Sequence, residues 1–360
     1  MRKPGLALLG VLAVVACSSA DPIPVSQASG DPTKPPAVPA SQVPSPTPTP
    51  KQDPLGSGNA VTIAFGGDVH FEGASRSALS GGLRAITPAL SAADVTMVNL
   101  ETAITERGVP APKEYTFKAP ATAFGALRSA GVDVVSMANN HGQDFGVVGV
   151  RDSVAAAKAA KFPVVGIGLD DKQAFAPWRK TVKGQRLAFF GATHVLDSNL
   201  ASAWTAGPGK PGLASAYQES ELLAAVRRAR ATSDTVVVYL HWGKERAQCP
   251  IDRQYDIAAK LSKAGADIVV GSHAHVLLGG GMLGRTFVSY GLGNFVFYAR
   301  PGLGAQTGVM TVNVTGRRVN GYTWKPAVIQ GGVPVPLSGA AAAAAQQRWA
   351  SLRSCTNLKP

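Results

Sequence analysis

Val61-Thr62-Ile63-Ala64-Phe65-Gly66-Gly67-Asp68-Val69-His70 reads as a short apolar strand running into two glycines, a carboxylate and an imidazole. In extended backbone, residues two apart point the same way, so Asp68 and His70 can face one site just past the strand. The arrangement recurs along the chain. His141 stands in Asn139-Asn140-His141-Gly142 after the apolar run 132–138. His241 opens His241-Trp242-Gly243 after the run 235–240, and His273 and His275 stand in Gly271-Ser272-His273-Ala274-His275 after 267–271. Five of the six histidines therefore lie in four short motifs at strand ends, beside Asp, Asn and Gly. Imidazole is the commonest protein ligand for transition metals, and open α/β sheets form their sites outside the carboxyl ends of strands. The pattern predicts a metal site on one rim made from several strand ends.

Outward from this stretch, 83–93 (weakened by Pro88), 121–130, 147–161, 220–231 and 252–264 read as helices. The runs 94–99, 132–138, 163–167, 186–191, 235–240, 267–271, 286–290 and 307–315 read as strands. Asn320-Gly321 is a hairpin-turn signal, and the alanine run 340–345 reads as a peripheral helix. Alternating strands and helices imply an α/β domain rich in parallel sheet. The strand-rich later part predicts a mixed or second sheet.

The chain has 360 residues, 45% of them apolar, ample for one large domain or two small ones. Met1-Arg2-Lys3, an apolar run 5–16 and Cys17 have the form of a secretory signal. The run is too short to span a bilayer, which takes about 20 apolar residues. Val14-Val15-Ala16-Cys17 resembles a lipobox, which predicts cleavage before Cys17 and diacylglycerol on its sulfur; an ordinary secretory signal with an incidental cysteine is the alternative. Residues 18–59 hold eleven of the 26 prolines among Ser, Thr, Gln and Ala, which reads as an extended tether of roughly 100 Å. A domain over 60–330 and a C-terminal tail over 331–360 follow. Cys249 and Cys355 remain, and two thiols in an exported chain predict a disulfide, with two buried free thiols as the alternative. The formal charge is +13. An export signal argues against nucleic acid as its partner. It favours anionic lipid, a teichoic-type polymer or a polyacid, against a merely dispersed solubilising charge.

Seven groups could share ions: Asp68, His70, Glu101, Asn140, His241, His273 and His275. Glu101 and Asn140 each stand just past strands of their own. A single ion would crowd seven ligands, whereas two ions sharing a bridging carboxylate use them naturally. Nitrogen and oxygen donors without thiolate suit Mn, Fe, Zn or Co. Two ions about 4 Å apart clamp a phosphoryl-type oxyanion and acidify water. His141, beside a ligand and in excess of the ligand count, can then donate a proton to a leaving group. Singly, each motif has a plainer reading: an Asn-Asn-His cap, a surface Glu101, an incidental pair of histidines. His194 has no such motif and reads as an ordinary loop histidine.

Phe65-Gly66-Gly67-Asp68, Asn99-Leu100-Glu101-Thr102, Asn139-Asn140-His141 with Asp144-Phe145-Gly146, His241-Trp242-Gly243, Gly265-Ala266-Asp267-Ile268-Val269 with Gly271-Ser272-His273-Ala274-His275-Val276, and Tyr290-Gly291-Leu292-Gly293-Asn294-Phe295 occur in that order. The series, over about residues 60 to 315, resembles the CapA-type capsule-synthesis family, also called poly-γ-glutamate biosynthesis proteins, which is similar to the calcineurin-like metallophosphoesterases. The resemblance implies a metallophosphatase-like α/β/β/α sandwich with two mixed sheets and two divalent ions (Mn, Fe or Zn). It implies that Asp68, His70 and His275 hold one ion, that Glu101 bridges, that Asn140, His241 and His273 complete the second, and that His141 is the phosphate-contacting acid. The sequence departs from the superfamily pattern with Glu101 where an Asp is usual, and from many capsule-type members with His70 where they have an apolar residue. The 291–295 turn either closes the site from the other sheet through Asn294 or simply packs Phe295. Two functions follow. One is an extracytoplasmic, lipid-anchored metal-dependent hydrolase of phosphoester or other anionic bonds in capsule or wall polymer. The other is a non-catalytic assembly factor that binds an anionic polymer and capsule synthase components. The sequence has no ATP-binding P-loop, so it does not by itself ligate glutamate at the expense of ATP.

Overall fold

The computed structural model describes residues 58–360; Cys17, the stretch read as an export signal and nearly all of the stretch read as a tether over 18–59 lie outside the described residues. The first sheet runs in the order Val333–Pro336, Arg318–Gln330, Gln306–Thr315, Val61–Val69, Val95–Leu100, Val134–Ser136, Val164–Val165, with Asn294–Val296 also paired to Val61–Val69. The second runs Gly280–Leu283, Thr286–Ser289, Ile268–His273, Thr235–Trp242, Gln185–Thr193, Trp178–Val182. Both are mixed. In the first, Val61–Val69 is parallel to Val95–Leu100 but antiparallel to Gln306–Thr315. In the second, Thr235–Trp242 is parallel to both its neighbours, and Gln185–Thr193 is antiparallel to Trp178–Val182.

The period-2 alternation of each strand builds the layers. Val61, Ile63 and Phe65 point into one core together with Val237 and Tyr239 from the second sheet. Ala64 points the other way, into a core with Phe124, Leu127 and Val150 of helices Thr122–Ser129 and Gly146–Ala160. Val236, Val238 and Leu240 likewise pack on Leu222, Val226, Ile257 and Leu261 of helices Glu219–Arg230 and Asp252–Ala264. The result is helix, sheet, sheet, helix. The Tyr239 hydroxyl donates to the Gly66 carbonyl at 2.9 Å and ties the two sheets beneath the rim.

A repeated device sets the opposite end. Asp94, Asp133, Asp234 and Asp267 each precede a parallel strand and accept a backbone N–H from the neighbouring strand: Thr62 at 2.9 Å, Thr96 at 2.9 Å, Arg186 at 2.8 Å and Val236 at 2.8 Å. Each carboxylate satisfies a donor that the sheet's own hydrogen bonds leave over. Burial works against the charged form of Asp234, but bonds from the Arg186 side chain and backbone hold its carboxyl below the usual range. Its folded pKa lies below the unfolded one, so its stabilisation is complete above about pH 4 and is lost as pH falls further. Asp234→Ala is expected to cost about 1–3 kcal/mol at pH 7 and less at pH 3. Equal urea midpoints for wild type and variant at pH 7 would remove the device from the stability of the fold.

Several local expectations change. The helix read over 83–93 shrinks to Thr87–Leu90, with Pro88 in its first turn, because proline lacks the N–H that a helix interior needs. The rim is not a single edge but two, one from each sheet. The hairpin does not turn at Asn320-Gly321. Thr315 pairs with Arg318 around Gly316-Arg317, and Gly321 pairs with Asn313. Gly316 has φ 57°, and the Asn320 amide instead donates to Asn313 Oδ1 at 2.6 Å and Thr315 Oγ1 at 2.9 Å. Within the segment read as a tail, Val333–Pro336 adds an edge strand to the first sheet, and the buried Trp349 of helix Gly339–Ser351 stacks on Trp324. Cys249 and Cys355 are joined by a disulfide with Cα atoms 5.6 Å apart, which fastens the C-terminus to the loop after His241.

Candidate metal centre

Asp68 comes from the end of strand Val61–Val69, with His70 just beyond it. Glu101 directly follows Val95–Leu100, and Asn140 and His141 lie on the turn after Val134–Ser136. The second sheet supplies His241 within Thr235–Trp242, His273 at the end of Ile268–His273, and His275 two residues on. His273 and His275 are not extended, as their spacing predicts. Their φ values are 93° and 54°, left-handed conformations that cost about 1–3 kcal/mol each and collect at functional sites. Asp68 Oδ2 holds the His273 backbone by accepting its N–H at 3.0 Å.

Gly67 and Gly293 let the chain cross from the second sheet to the first. A Cβ on Gly67 would stand 1.9 Å from the Gly293 carbonyl oxygen, which accepts the Asp68 N–H at 2.9 Å. Gly293 itself has φ 64°. The crossing leaves Asn294 in the first sheet opposite Asp68. Its Oδ1 lies 2.7 Å from His275 Nδ1, and its amide donates to the carbonyls of Gly304 at 2.9 Å and His275 at 3.3 Å. Phe295 is buried in the first sheet's outer core. The turn thus both orients an imidazole of the opposite sheet and packs Phe295.

Glu101 is fully buried, and among the described residues neither carboxylate oxygen has a hydrogen-bond partner. Around its Oε1 stand His241 Nε2 at 3.5 Å, His141 Nε2 at 3.9 Å and His275 Nε2 at 3.9 Å. Two donor sets share it: Glu101, His241 and His273, and Asp68, Glu101 and His275, with ligand atoms within 4.8 Å of one another in each. His273 Nδ1 lies 3.1 Å from His241 Nε2, which lies 2.8 Å from Asn140 Oδ1. Burial, then the neighbouring Asp68 charge, pushes the Glu101 carboxyl far above the usual range. Burial, then His275, holds His273 at about 3, and burial, then His273, holds His241 well below its ordinary value. A buried orphan carboxylate beside His241 and His273, whose rings burial keeps neutral, is satisfied by a cation, and these oxygen and nitrogen donors fit a divalent transition ion.

His70 stands in neither set. Its Nε2 is buried and unpartnered, Nδ1 lies 2.9 Å from Ser75 Oγ, and burial holds the ring at about 3. Phe297, Tyr298 and Phe117 surround it, with ring centroids at 3.8, 4.5 and 4.8 Å. His141 stacks on Phe117 at 4.0 Å, and its Nδ1 meets Asp144 Oδ2 at 2.6 Å. His194 takes no part: Arg253 Nε donates to its Nε2 at 3.1 Å, and the ring packs on Tyr217.

The structure adds residues to which sequence reading assigns no role. Asn99 donates to Asp68 Oδ1 at 2.8 Å. Asn139 in turn donates to Asn99 Oδ1 at 3.1 Å, while its own Oδ1 accepts the His141 N–H at 3.0 Å. Both asparagines and Asp144 stand inside the quoted motifs, so their signal was present. Lys113, whose Nζ lies 2.9 Å from Asp144 Oδ1 and also bonds the Asn140 carbonyl, has no local signal. Neither does the exposed Glu245, which forms a third donor set with His273 and His275.

The family model of the bacterial capsule synthesis protein PGA_cap matches residues 62–299. The PGA biosynthesis protein CapA of Bacillus subtilis (strain 168) is 33% identical over 216 residues, which cover 59% of this chain and 55% of that protein. A probable polyglutamine synthesis accessory protein of Mycobacterium tuberculosis is 30% identical over 192 residues, 51% of this chain and 50% of that protein. The chain spans about half the length of the curated relatives it matches. A solved phosphatase from Mycoplasma pneumoniae aligns with 75% of this chain and 94% of its own, at TM-score 0.47 and 14% identity.

Proposed function

Because the chain belongs to the bacterial capsule synthesis protein family, we propose that it acts outside the cytoplasm as a lipid-anchored, dinuclear metal-dependent hydrolase. Its setting is the synthesis of an anionic envelope polymer of the poly-γ-glutamate type. The observation that carries the reading is Glu101, a buried carboxylate with no partner of its own that belongs to two donor sets at once. Glu101 would be shared by the two ions; His241, His273 and Asn140 would hold one, and Asp68, His275 and His70 the other. Divalent ions (Mn, Fe or Zn) bound there supply positive charge for an anionic substrate and acidify water.

The chain's own groups do the rest. The Asp144 carboxylate oxygen 2.6 Å from His141 Nδ1 accepts a hydrogen bond from it, so the ring proton sits on Nδ1 and Nε2 is the nitrogen that faces the site. Protonated, Nε2 donates to a leaving group. Lys113 holds the other oxygen of Asp144 and keeps the carboxylate in place. Asn99 and Asn139 fix Asp68 and the His141 backbone. The partly exposed Tyr298 ring packs on His70, with centroids 4.5 Å apart.

The test is metal analysis of the purified protein, then a cleavage screen of phosphoesters and polyglutamate with and without added Mn. Bound divalent metal together with metal-dependent cleavage is expected. No metal after incubation with Mn, Fe or Zn would sink the reading. Anchoring has its own test: Cys17→Ser should leave the membrane fraction, since a lipid on that sulfur is the proposed attachment. A second reading, a polymer-binding assembly factor for synthase components, draws on the accessory role in the Mycobacterium tuberculosis relative's name. Metal-loaded protein that binds polyglutamate without cutting any substrate would favour it.

A further inference from the structure

The pole opposite the metal rim carries a second surface. Strand Trp178–Val182 and the start of Gln185–Thr193 form a hairpin whose Arg179, Lys180, Lys183 and Arg186 are all exposed. The turn bearing Arg317 and Arg318 lies against it, because the Gly316 N–H donates to Gln185 Oε1 at 3.0 Å. Among the described residues, Asp94 lies 2.8 Å from Lys183, Asp133 3.7 Å from Lys180, and Asp234 2.6 Å from Arg186. Arg179 has only hydroxyl partners among the described residues, Thr232 at 3.1 Å and Ser233 at 2.9 Å. Arg179, Lys180, Thr181, Arg186, Thr232 and Ser233 line a cavity of about 350 Å³, whose guanidinium and hydroxyl groups suit a phosphate.

The chain enters the domain at this pole. Asn59 donates to the Lys183 carbonyl at 3.1 Å, and the Gln185 side chain donates to the Asn59 carbonyl. Another 57 residues precede the described ones. The metal rim stands at the other end of the strands: Thr235 to His241 spans about 20 Å of extended chain.

We infer that this basic pole docks on the anionic phospholipid headgroups of the membrane, with a headgroup phosphate in the Arg179 cavity and the metal site turned away from the lipid. The inference deepens the anchoring reading above, but its test is independent of the lipid. Full-length protein carrying Cys17→Ser is sedimented with phosphatidylcholine vesicles, with and without phosphatidylglycerol. Preferential binding to the phosphatidylglycerol vesicles, weakened by salt, is expected. Arg179→Glu/Lys180→Glu should lower the partition coefficient about tenfold or more, and the milder Arg179→Gln/Lys180→Gln should lower it less. Arg227→Glu/Arg228→Glu changes the net charge equally on an exposed helix face and should bind within about twofold of the parent. Equal losses in the two charge-reversed proteins would overturn the proposal, as would no preference for anionic vesicles. Binding to soluble polyglutamate in place of vesicles would overturn it too. Loss of membrane fractionation in cells by Cys17→Ser, with vesicle binding absent, would keep the anchor and discard the docking face.

Discussion

His141→Ala is expected to keep bound metal near the wild-type level while cutting hydrolysis of whichever substrate the screen identifies by about 100-fold or more, the usual range for losing a general acid. The two effects separate because His141 belongs to none of the donor sets around Glu101. Its Nδ1 is committed to Asp144 at 2.6 Å, and only Nε2 faces the site, 3.9 Å from Glu101 Oε1. Asp144→Asn should reproduce part of the loss with metal retained, since an amide NH₂ turned toward Nδ1 would favour the wrong tautomer. Metal lost from His141→Ala as fully as from His241→Ala would make His141 structural. Undiminished cleavage in His141→Ala would take it out of the mechanism.

The second large effect has opposite signs with and without metal. In the metal-free protein Glu101 is a buried carboxyl with no hydrogen-bond partner, pushed far above its usual range by burial and by Asp68. Its folded pKa exceeds the unfolded one, so it favours folding only while protonated, and that contribution is lost as pH rises through the raised value. Glu101→Met removes an orphaned ionisable group and keeps the volume. The metal-free variant should therefore be no less stable than the metal-free wild type at pH 4, and its advantage should grow by about 1–3 kcal/mol between pH 4 and pH 8. With a divalent ion at about 100 times its Kd, the wild type should gain about 2.7 kcal/mol, read as a rise in Tm of several degrees, and the variant much less. A variant that gains as much from the ion as the wild type would show that Glu101 does not bridge.

The alternation in Val61–Phe65 and in 235–240 made strands legible, because period 2 is a local property. Strands alternating with helical stretches made the α/β order legible as well. The two-sheet sandwich was an expectation of family resemblance, and the layers follow from which alternate residues share a core. Turn chemistry misled at Asn320-Gly321: a local signal for a hairpin lost to a register in which Gly316 takes the left-handed corner and Asn320 caps it through its side chain. Pro88 shortened a helix that apolar spacing had extended.

Sequence alone determined the kinds of candidate ligand and their places at strand ends, since Asp68, Glu101, Asn140, His241 and His273 each follow or end an apolar run that folds locally. Tertiary structure alone decided which of them meet. Glu101 joins two donor sets only because two sheets bring their strand ends together. His70 lies outside both sets, and its ring packs against Phe117, Phe297 and Tyr298. Lys113 and Glu245 reach the site from loops with no periodic signature, and His273 and His275 take left-handed backbone that their spacing does not encode. The physical reason is range. A strand's pattern is set by neighbours two residues away, whereas a buried charge finds its partners across the sandwich, 205 residues apart for Asp68 and His273.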